Sequence, residues 1–243
     1  MFNQNQHKIY LVRILKEVYD NQTIRSSLGF KGGTAAYLFY NLPRFSVDLD
    51  FDLLPHAKKG TDTMRNLFHA VFRRLDLEVK DESKTTLLFL LRYKANSEQR
   101  NTIELDAVEE GFTSNAYQPE YLSELDRYMN CHTVETMFGN KLVALIDRYE
   151  KHFAIAGRDL YDIHFFFTHE YTYIPEIITE RRNVEPTIYL QELITFINTK
   201  VTQTIIDQDL NTLLPYKTFR KIRGVIKQET LVLLQDEVKR LSR

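Results

Sequence analysis

The stretch GGTAAYLFYNLPRFSVDLDFD, residues 32–52, contains a pair of glycines, a short apolar segment and three alternating aspartates. Asp48, Asp50 and Asp52 are two residues apart, and apolar residues stand between them. Side chains at i, i+2 and i+4 of a strand point to the same face, so we expect the carboxylates on one side and the apolar side chains in a core. Like charges this close repel one another. The pattern therefore indicates a divalent cation, with a solvated strand face as the alternative.

The two glycines of this stretch, Gly32 and Gly33, lie between a strand predicted at residues 28–30 and a helix predicted from about Thr34. Glycine has no side chain and lets the backbone approach a ligand closely, and the start of a helix presents free N–H groups to a phosphate. The Gly-x-x-x-x-Gly-Lys-Ser/Thr spacing of a Walker loop is absent. The pair therefore indicates a phosphate-binding turn, with an ordinary tight turn as the alternative.

A second acidic strand is predicted at residues 101–108, NTIELDAV. Glu104 and Asp106 lie on one of its faces, and apolar residues lie on the other. If this strand neighbours the first, it adds another carboxylate to the group. Carboxylate oxygens are ligands that Mg²⁺ prefers, and two metals can stabilise charge during an in-line displacement at phosphorus. A polar strand face without a metal is the alternative.

The composition of the 243-residue chain is that of a globular protein, with 43% hydrophobic and 27% charged residues. It excludes a disordered or collagen-like chain. The net charge of −1 indicates that any contact with nucleic acid depends on a local patch. The single cysteine excludes an intramolecular disulfide and a cysteine-rich zinc site. The apolar runs are too short to cross a bilayer and the N-terminus has no apolar signal core, so we expect a cytoplasmic protein without membrane contact.

The periodicity of apolar residues predicts an α+β fold. A mixed sheet with flanking helices is expected in residues 1–120, with helices at 7–20 and 62–75 and strands at 75–83, 85–94 and 101–108. Residues 112–119 are expected to form a loop. From about residue 120 the apolar spacing becomes helical, which predicts an all-helical region over residues 121–243.

The order of glycine turn, helix, Asp-x-Asp strand and later acidic strand resembles the DNA polymerase β-like nucleotidyltransferase superfamily. More narrowly, the chain resembles the AbiEii/AbiGii toxin family, over residues 25–168. Its leading motif matches at Gly32, Gly33, Thr34, Arg44, Ser46, Asp48, Asp50 and Phe51. The second block of that family matches within residues 140–165, at Lys141, Arg158, Asp159, Leu160, Tyr161 and Asp162.

The resemblance implies roles for individual residues. Nucleotide binding would involve Gly32, Gly33, Thr34, Arg44, Ser46, Lys141 and Arg158. Metal ligation would involve Asp48, Asp50 and Asp106, with Asp52 secondary. Lys141 would neutralise triphosphate charge rather than pair with Glu135 or Glu150, and Asp159 or Asp162 would orient it or help activate the acceptor. From spacing alone, Arg158 and Asp162 are four residues apart, and a surface ion pair on one helix face is the alternative.

The same resemblance implies a nucleotidyltransferase-like catalytic domain over residues 1–120 and a helical domain over 121–243 that completes the active site and binds the acceptor. Such an enzyme moves a nucleoside monophosphate from an NTP to an acceptor hydroxyl with Mg²⁺ or Mn²⁺ and releases pyrophosphate. It implies the toxin of a toxin–antitoxin or phage-defence pair, with a cognate antitoxin protein as partner. The leading acceptor is an RNA, the tRNA 3′ end, followed by a protein hydroxyl and a small molecule. A non-catalytic module that binds nucleotide, RNA or protein is the alternative from another class.

A basic run lies near the C-terminal end of the sequence. Residues 217–227 contain no acid, and their cations are Lys217, Arg220, Lys221, Arg223 and Lys227. In one continuous helix, Arg220, Arg223 and Lys227 would form a stripe, although Gly224 interrupts the segment. The run indicates a surface that follows the phosphates of an RNA acceptor, with a solvated helix face as the alternative.

Overall fold

The computed structural model describes residues 3–54, 60–95, 100–109 and 112–242. They form two compact units. The sheet unit comprises the described residues of Met1–Asn41, Phe45–Gly111 and Tyr117–His132. The helical unit comprises those of Leu42–Arg44, Phe112–Ala116 and Thr133–Arg243.

The sheet unit is built on a mixed seven-stranded sheet with strand order β3-β4-β5-β2-β1-β7-β6. The strands are β1 Leu28–Lys31, β2 Leu49–Leu53, β3 Glu78–Glu82, β4 Leu87–Arg92, β5 Thr102–Val108, β6 Tyr117–Leu122 and β7 Arg127–His132. Two pairs, β2–β5 and β1–β7, are parallel, and the other neighbours are antiparallel. The strands predicted between residues 75 and 108 are confirmed, and the apolar β4 lies between two others as its composition indicates.

The helices of the sheet unit are α1 Gln4–Asp20, α2 Gln22–Arg25, α3 Gly32–Phe39 and α4 Thr61–Arg74. α1 begins earlier than predicted because Asn3 caps it, with its side chain accepting a hydrogen bond from the amide of Gln6. Its apolar stripe, which includes Leu11, Ile14 and Leu15, is buried. α3 begins at Gly32 rather than at Thr34, so the second glycine already lies in the first helical turn.

The expectation of a loop at residues 112–119 is wrong for its last part, because β6 begins at Tyr117. β6 and β7 form an antiparallel hairpin at one end of the sheet. Apolar alternation is weak in β6 because an edge strand buries few side chains, and Pro119 is tolerated there because an edge amide need not donate to a neighbour. The sheet therefore continues past the boundary expected at residue 120.

The helical unit contains α5 Val134–His152, α6 Gly157–Thr168, α7 Pro175–Arg182, α8 Pro186–Lys200, α9 Gln203–Leu213, α10 Tyr216–Ile222 and α11 Ile226–Leu241. The helical prediction is confirmed from Thr133 onward but is wrong for residues 121–132, which contain the end of β6 and the whole of β7. Thr133 caps α5, and its hydroxyl accepts a hydrogen bond from the amide of Thr136. Phe138 of α5 stacks on Phe166 of α6, with ring centroids 5.2 Å apart. α6 packs on α5, α9 and α11, so its apolar residues belong to the core of this unit.

The continuous basic stripe predicted at residues 217–227 is wrong, because α10 ends at Ile222 and α11 begins at Ile226. Arg223 pairs with Asp207, and the Lys227 ammonium donates to two backbone carbonyls. The three cations within α10, which are Lys217, Arg220 and Lys221, are exposed. None of the helices in the described parts of the chain could cross a membrane, for want of length or of apolar residues.

Candidate active site

The acidic face of the sheet unit is formed by two neighbouring parallel strands. Asp50 of β2 is the register partner of Asp106 of β5, and Leu49 is the partner of Leu105. The leucines are fully buried, whereas the two aspartates are half-buried on the opposite face. Neighbouring strands are about 4.8 Å apart, so these two carboxylates stand side by side. β5 is therefore the neighbour that could supply the third acid.

Asp48 lies just before β2 and is tied to the same strand pair. One of its carboxylate oxygens accepts a hydrogen bond from the amide of Glu104 at 3.3 Å, and the Arg100 guanidinium lies 3.8 Å away. Its backbone carbonyl accepts a hydrogen bond from the hydroxyl of Thr34, which is buried in the first turn of α3. Thr34 therefore joins the start of α3 to the start of β2. Ser46 is half-buried in the segment that precedes Asp48.

The glycine turn approaches the acidic face closely. Gly32 has φ +77°, a conformation that favours glycine. A Cβ atom at this position would overlap the carboxylate of Asp50. The absence of a side chain therefore allows the start of α3 to come directly against Asp50. Gly33 follows as a buried residue of the helix.

Asp52 shares the face of Asp50 but is surrounded by donors of the sheet unit. The Lys31 ammonium lies 2.6 Å from its Oδ1, His132 Nε2 lies 2.7 Å from its Oδ2, and the Tyr117 hydroxyl donates to Oδ2 at 2.6 Å. Burial opposes ionisation of Asp52, but the hydrogen bond of His132 and the charge of Lys31 lower its pKa to about 2. Asp52 is thus a buried ion-pair partner, and the first two aspartates differ from it in environment.

The helical unit contains a second charged cluster, around Lys141 of α5. The Lys141 ammonium lies 2.8 Å from Asp162 Oδ2 and 3.6 Å from Asp159 Oδ1, and both acids, on α6, are fully buried. The guanidinium of Arg44 bonds both oxygens of Asp162, with Nη2 at 2.6 Å from Oδ2. Arg148 Nε lies 3.0 Å from Asp159 Oδ2. The structure thus gathers four residues that the second block and the leading motif predict, and adds Arg148.

The alternative prediction of a surface ion pair between Arg158 and Asp162 is wrong. Asp162 is buried, and burial opposes its ionisation, but the charges of Arg44 and Lys141 lower its pKa below the usual range. Arg158 is half-buried, and its backbone amide lies 3.5 Å from a carboxylate oxygen of Asp209. Spacing along one helix did not reveal the partner of Asp162, because Arg44 comes from a segment 118 residues away in sequence.

The residues missed from the sequence are Lys31, Tyr117, His132 and Arg148. Only Lys31 carries a local signal, because it is a cation directly before the glycine pair and opposite Asp50 in the β1–β2 register. The other three reach their carboxylates from distant segments. Their spacing in the sequence is not that of any motif.

The carboxylate oxygens of the acidic face are suitable ligands for Mg²⁺. Mg²⁺ is usually held by one or two carboxylates together with substrate phosphates, and Asp50 and Asp106 provide two adjacent carboxylates beside a glycine turn. Within the described ranges, no three histidine, cysteine or acidic side chains are gathered closely enough to hold a metal by themselves. The residues therefore fit a metal that arrives with a phosphate ligand rather than a closed protein cage.

Comparison with known proteins gives a family match over most of the chain. Residues 13–217 match the family described as nucleotidyl transferase AbiEii toxin, of a type IV toxin–antitoxin system. No curated protein matches the chain.

Several solved structures share the fold. The crystal structure of JHP933 from Helicobacter pylori is 22% identical with a TM-score of 0.58, and the alignment covers 100% of this chain and 98% of that one. MenT4, the nucleotidyltransferase toxin Rv2826c of Mycobacterium tuberculosis H37Rv, is 13% identical with a TM-score of 0.54, covering 98% and 86%. The family match includes the glycine turn, both acidic strands, Lys141 and the two buried aspartates of α6. The chain therefore belongs to the AbiEii family of nucleotidyltransferase toxins.

Proposed function

We propose that this chain is a metal-dependent nucleotidyltransferase that transfers a nucleoside monophosphate from an NTP to an acceptor hydroxyl. The observation that carries the proposal is the pairing of Asp50 with Asp106 on adjacent strands, with the glycine turn packed against Asp50. This arrangement puts carboxylates for a metal next to backbone N–H groups for a phosphate. The proposed metal is Mg²⁺ or Mn²⁺, bound by Asp48, Asp50 and Asp106 together with phosphate oxygens of the NTP.

The proposed reaction is a displacement at the α-phosphorus. The acceptor oxygen forms a bond to phosphorus, the bond to the bridging oxygen of the β-phosphate breaks, and pyrophosphate leaves. The proton of the acceptor hydroxyl passes to a base or to solvent. When bound, the metal neutralises phosphate charge and favours the ionised form of the hydroxyl. Gly32, Gly33 and Thr34 bind phosphate oxygens through their amides in this proposal, because the Thr34 hydroxyl already donates to Asp48.

Lys141 is proposed to neutralise the charge of the triphosphate. Its side chain is 16% exposed, and its ammonium pairs with the buried carboxylates of Asp162 and Asp159. Asp162 already accepts from Arg44 and Lys141, so we assign it and Arg44 to fixing the lysine. Asp159 is proposed to orient Lys141 or to help activate the acceptor. In this proposal the helical half takes part in catalysis, and Ser46 and Arg158 contribute to nucleotide binding.

The acceptor is proposed to be RNA, with the tRNA 3′ end first and a protein hydroxyl second. Support comes from the exposed cations Lys217, Arg220 and Lys221, which suit a phosphate backbone. Membership of a toxin family supports a cellular role as the toxin of a toxin–antitoxin pair, neutralised by a cognate antitoxin. A cytoplasmic location follows from this role, because tRNA is found there.

The test is incubation of the purified protein with each α-³²P-labelled NTP, Mg²⁺ and cell lysate, followed by separation of RNA from protein. We expect label in the tRNA fraction and release of unlabelled pyrophosphate. Label in protein would replace the RNA acceptor with a protein hydroxyl. The matched control is Asp50→Asn, which should transfer no label. Absence of label in RNA, protein and small molecules, with nucleotide still bound, would overturn the proposal in favour of a non-catalytic binding module.

A further inference from the structure

A buried cluster beside the acidic face plays no part in the proposed reaction. Its centre is Asp52, which is 1% exposed and receives three donors from three other strands. Lys31 comes from β1, His132 from β7 and Tyr117 from β6. Asp52 therefore links these three side chains to one another.

Lys31 is the member of this cluster that connects to the glycine turn. It is the last residue of β1 and the residue before Gly32, where the chain leaves the sheet and enters α3. Its Cα is the register partner of Asp50 across β1 and β2, but its ammonium reaches along the face to Asp52. The 2.6 Å ion pair therefore links the end of β1 to β2 at Asp52, two residues beyond Asp50.

Room for the cluster is made by Gly29. Gly29 is opposite Asp52 in the β1–β2 register, and a Cβ atom there would overlap the ring of Tyr117. The Tyr117 ring lies over the backbone of Gly29, which has no side chain. This position lets the Tyr117 hydroxyl donate a hydrogen bond to Asp52. The Tyr117 ring also packs edge-on to His132, with centroids 5.0 Å apart. The two donors to Asp52 Oδ2 thus support one another.

We infer that Lys31, anchored by Asp52, is a positioning residue that fixes the backbone of the glycine turn for phosphate binding. This inference rests on the proposed function. Gly32 is packed against Asp50, so a displaced turn would move its amides and the metal-binding carboxylate together. A position set to within a fraction of an ångström matters because phosphate oxygens bind through several amides at once.

The test compares three variants of the full chain. Lys31→Met removes the ammonium but keeps most of the side-chain stem. The double variant Lys31→Met with Asp52→Asn also removes the buried negative charge that the first change leaves without Lys31, so we expect it to fold even if the single variant does not. Tyr117→Phe is the matched control, because it removes a hydrogen bond to Asp52 but keeps the ion pair.

Two measurements do not depend on turnover. Hydrogen exchange followed by mass spectrometry reports the protection of residues 28–36, with residues 186–200 of α8 as the internal reference. Calorimetry with Mg²⁺ and inorganic tripolyphosphate reports phosphate binding without a base. We expect Lys31→Met and the double variant to exchange about tenfold faster at residues 28–36 only, and to bind tripolyphosphate about tenfold more weakly. Tyr117→Phe should resemble the wild type.

The double variant separates positioning from stability. If Lys31 acts only through stability, neutralising Asp52 restores the melting temperature, the exchange rates and the affinity together, and the inference is wrong. If it positions the turn, the melting temperature recovers while exchange and affinity do not. A wild-type chain that binds no tripolyphosphate would contradict the proposed phosphate site. The exchange rates would then still decide whether Lys31 fixes the turn.

Discussion

Asp50 and Asp106 are register partners on parallel strands, while Asp52, two residues further along β2, is enclosed by Lys31, His132 and Tyr117. Carboxylates on the same strand face thus have different partners. The pair of Asp50 and Asp106 remains half-buried, whereas Asp52 is buried. This difference predicts which substitutions abolish transfer and which only weaken it.

Neutralising a proposed metal ligand should remove most activity. Asp48→Asn and Asp50→Asn should each lower the transfer rate by at least about 100-fold, because a lost ligand removes charge stabilisation from the transferring group. Asp52→Asn should cost about tenfold. Initial rates of pyrophosphate release at saturating Mg²⁺ measure all three. Wild-type rates in Asp48→Asn would exclude its assignment as a metal ligand.

The close approach of the Gly32 backbone to Asp50 predicts that a side chain at position 32 lowers both stability and transfer activity. Gly32→Ala places a side chain at φ +77° and into the Asp50 carboxylate, so it should lower the free energy of unfolding by about 1–3 kcal/mol and abolish transfer. Gly224→Ala is the matched control, because a Cβ there meets no atom within 4 Å. Urea unfolding and transfer assays on both variants make the comparison. An active Gly32→Ala enzyme would show that the turn tolerates displacement.

Lys141 and Arg148 allow a comparison within one charged cluster. Each pairs with a buried aspartate of α6, so Lys141→Met and Arg148→Met should both lower the free energy of unfolding, by about 1–3 kcal/mol. Only Lys141→Met should also raise the KM for the NTP and slow transfer. The measurement is steady-state kinetics beside chemical denaturation. Equal kinetic effects of the two changes would assign Lys141 a structural role.

Acid should destabilise the helical unit through Asp162. The folded-state pKa of Asp162 is lowered, because Arg44 and Lys141 outweigh the effect of burial. Its stabilising contribution is therefore complete above the unfolded-state pKa of about 3.9 and is lost as pH falls towards the lower folded-state value. Urea unfolding between pH 5 and pH 3 should show a fall in stability for the wild type. Asp162→Asn should be less stable at pH 7 but less sensitive to acid, and an unchanged acid sensitivity would contradict this origin.

The exposed cations of α10 predict how RNA is bound. Replacing Lys217, Arg220 and Lys221 with Gln should raise the KM for RNA at least about tenfold at 150 mM salt, at roughly 0.5–1 kcal/mol per lost phosphate contact. The salt slope should fall by about 2 for three lost contacts to a single strand. Arg223→Gln is the control, since Arg223 is already paired with Asp207. An unchanged KM and slope would favour a protein or small-molecule acceptor.

The sequence predicted those features that local patterns encode. Alternation of aspartates with apolar residues predicted β2 and its two faces, and helical spacing predicted α1, α4 and the helical half. Cys131 and His132 are adjacent in the sequence but do not face one another on β7, because neighbouring residues of a strand point to opposite faces. The hairpin that contains these residues was missed, since its edge strand lacks apolar alternation.

Long-range pairings lay beyond sequence reasoning. Asp52 meets Tyr117 and His132 across 65 and 80 residues, and Arg44 meets Asp162 across 118. No spacing rule connects such positions, because the register of distant strands and the packing of helices decide them. Some charged residues of the two clusters, such as Arg44 and Asp162, could be proposed from the sequence. Only the fold shows which carboxylate each cation neutralises.

The segment Leu42–Arg44 belongs to the helical unit, although it lies in the sequence between α3 and β2 of the sheet unit. The leading motif is therefore interrupted by three residues whose arginine is 2% exposed and bonded to α6. A fragment ending at residue 132 would leave this guanidinium without its carboxylate partner. The helical half is therefore not freely exchangeable. A chimera that joined this sheet to the helical half of another protein would need an acidic residue in that half to pair with Arg44.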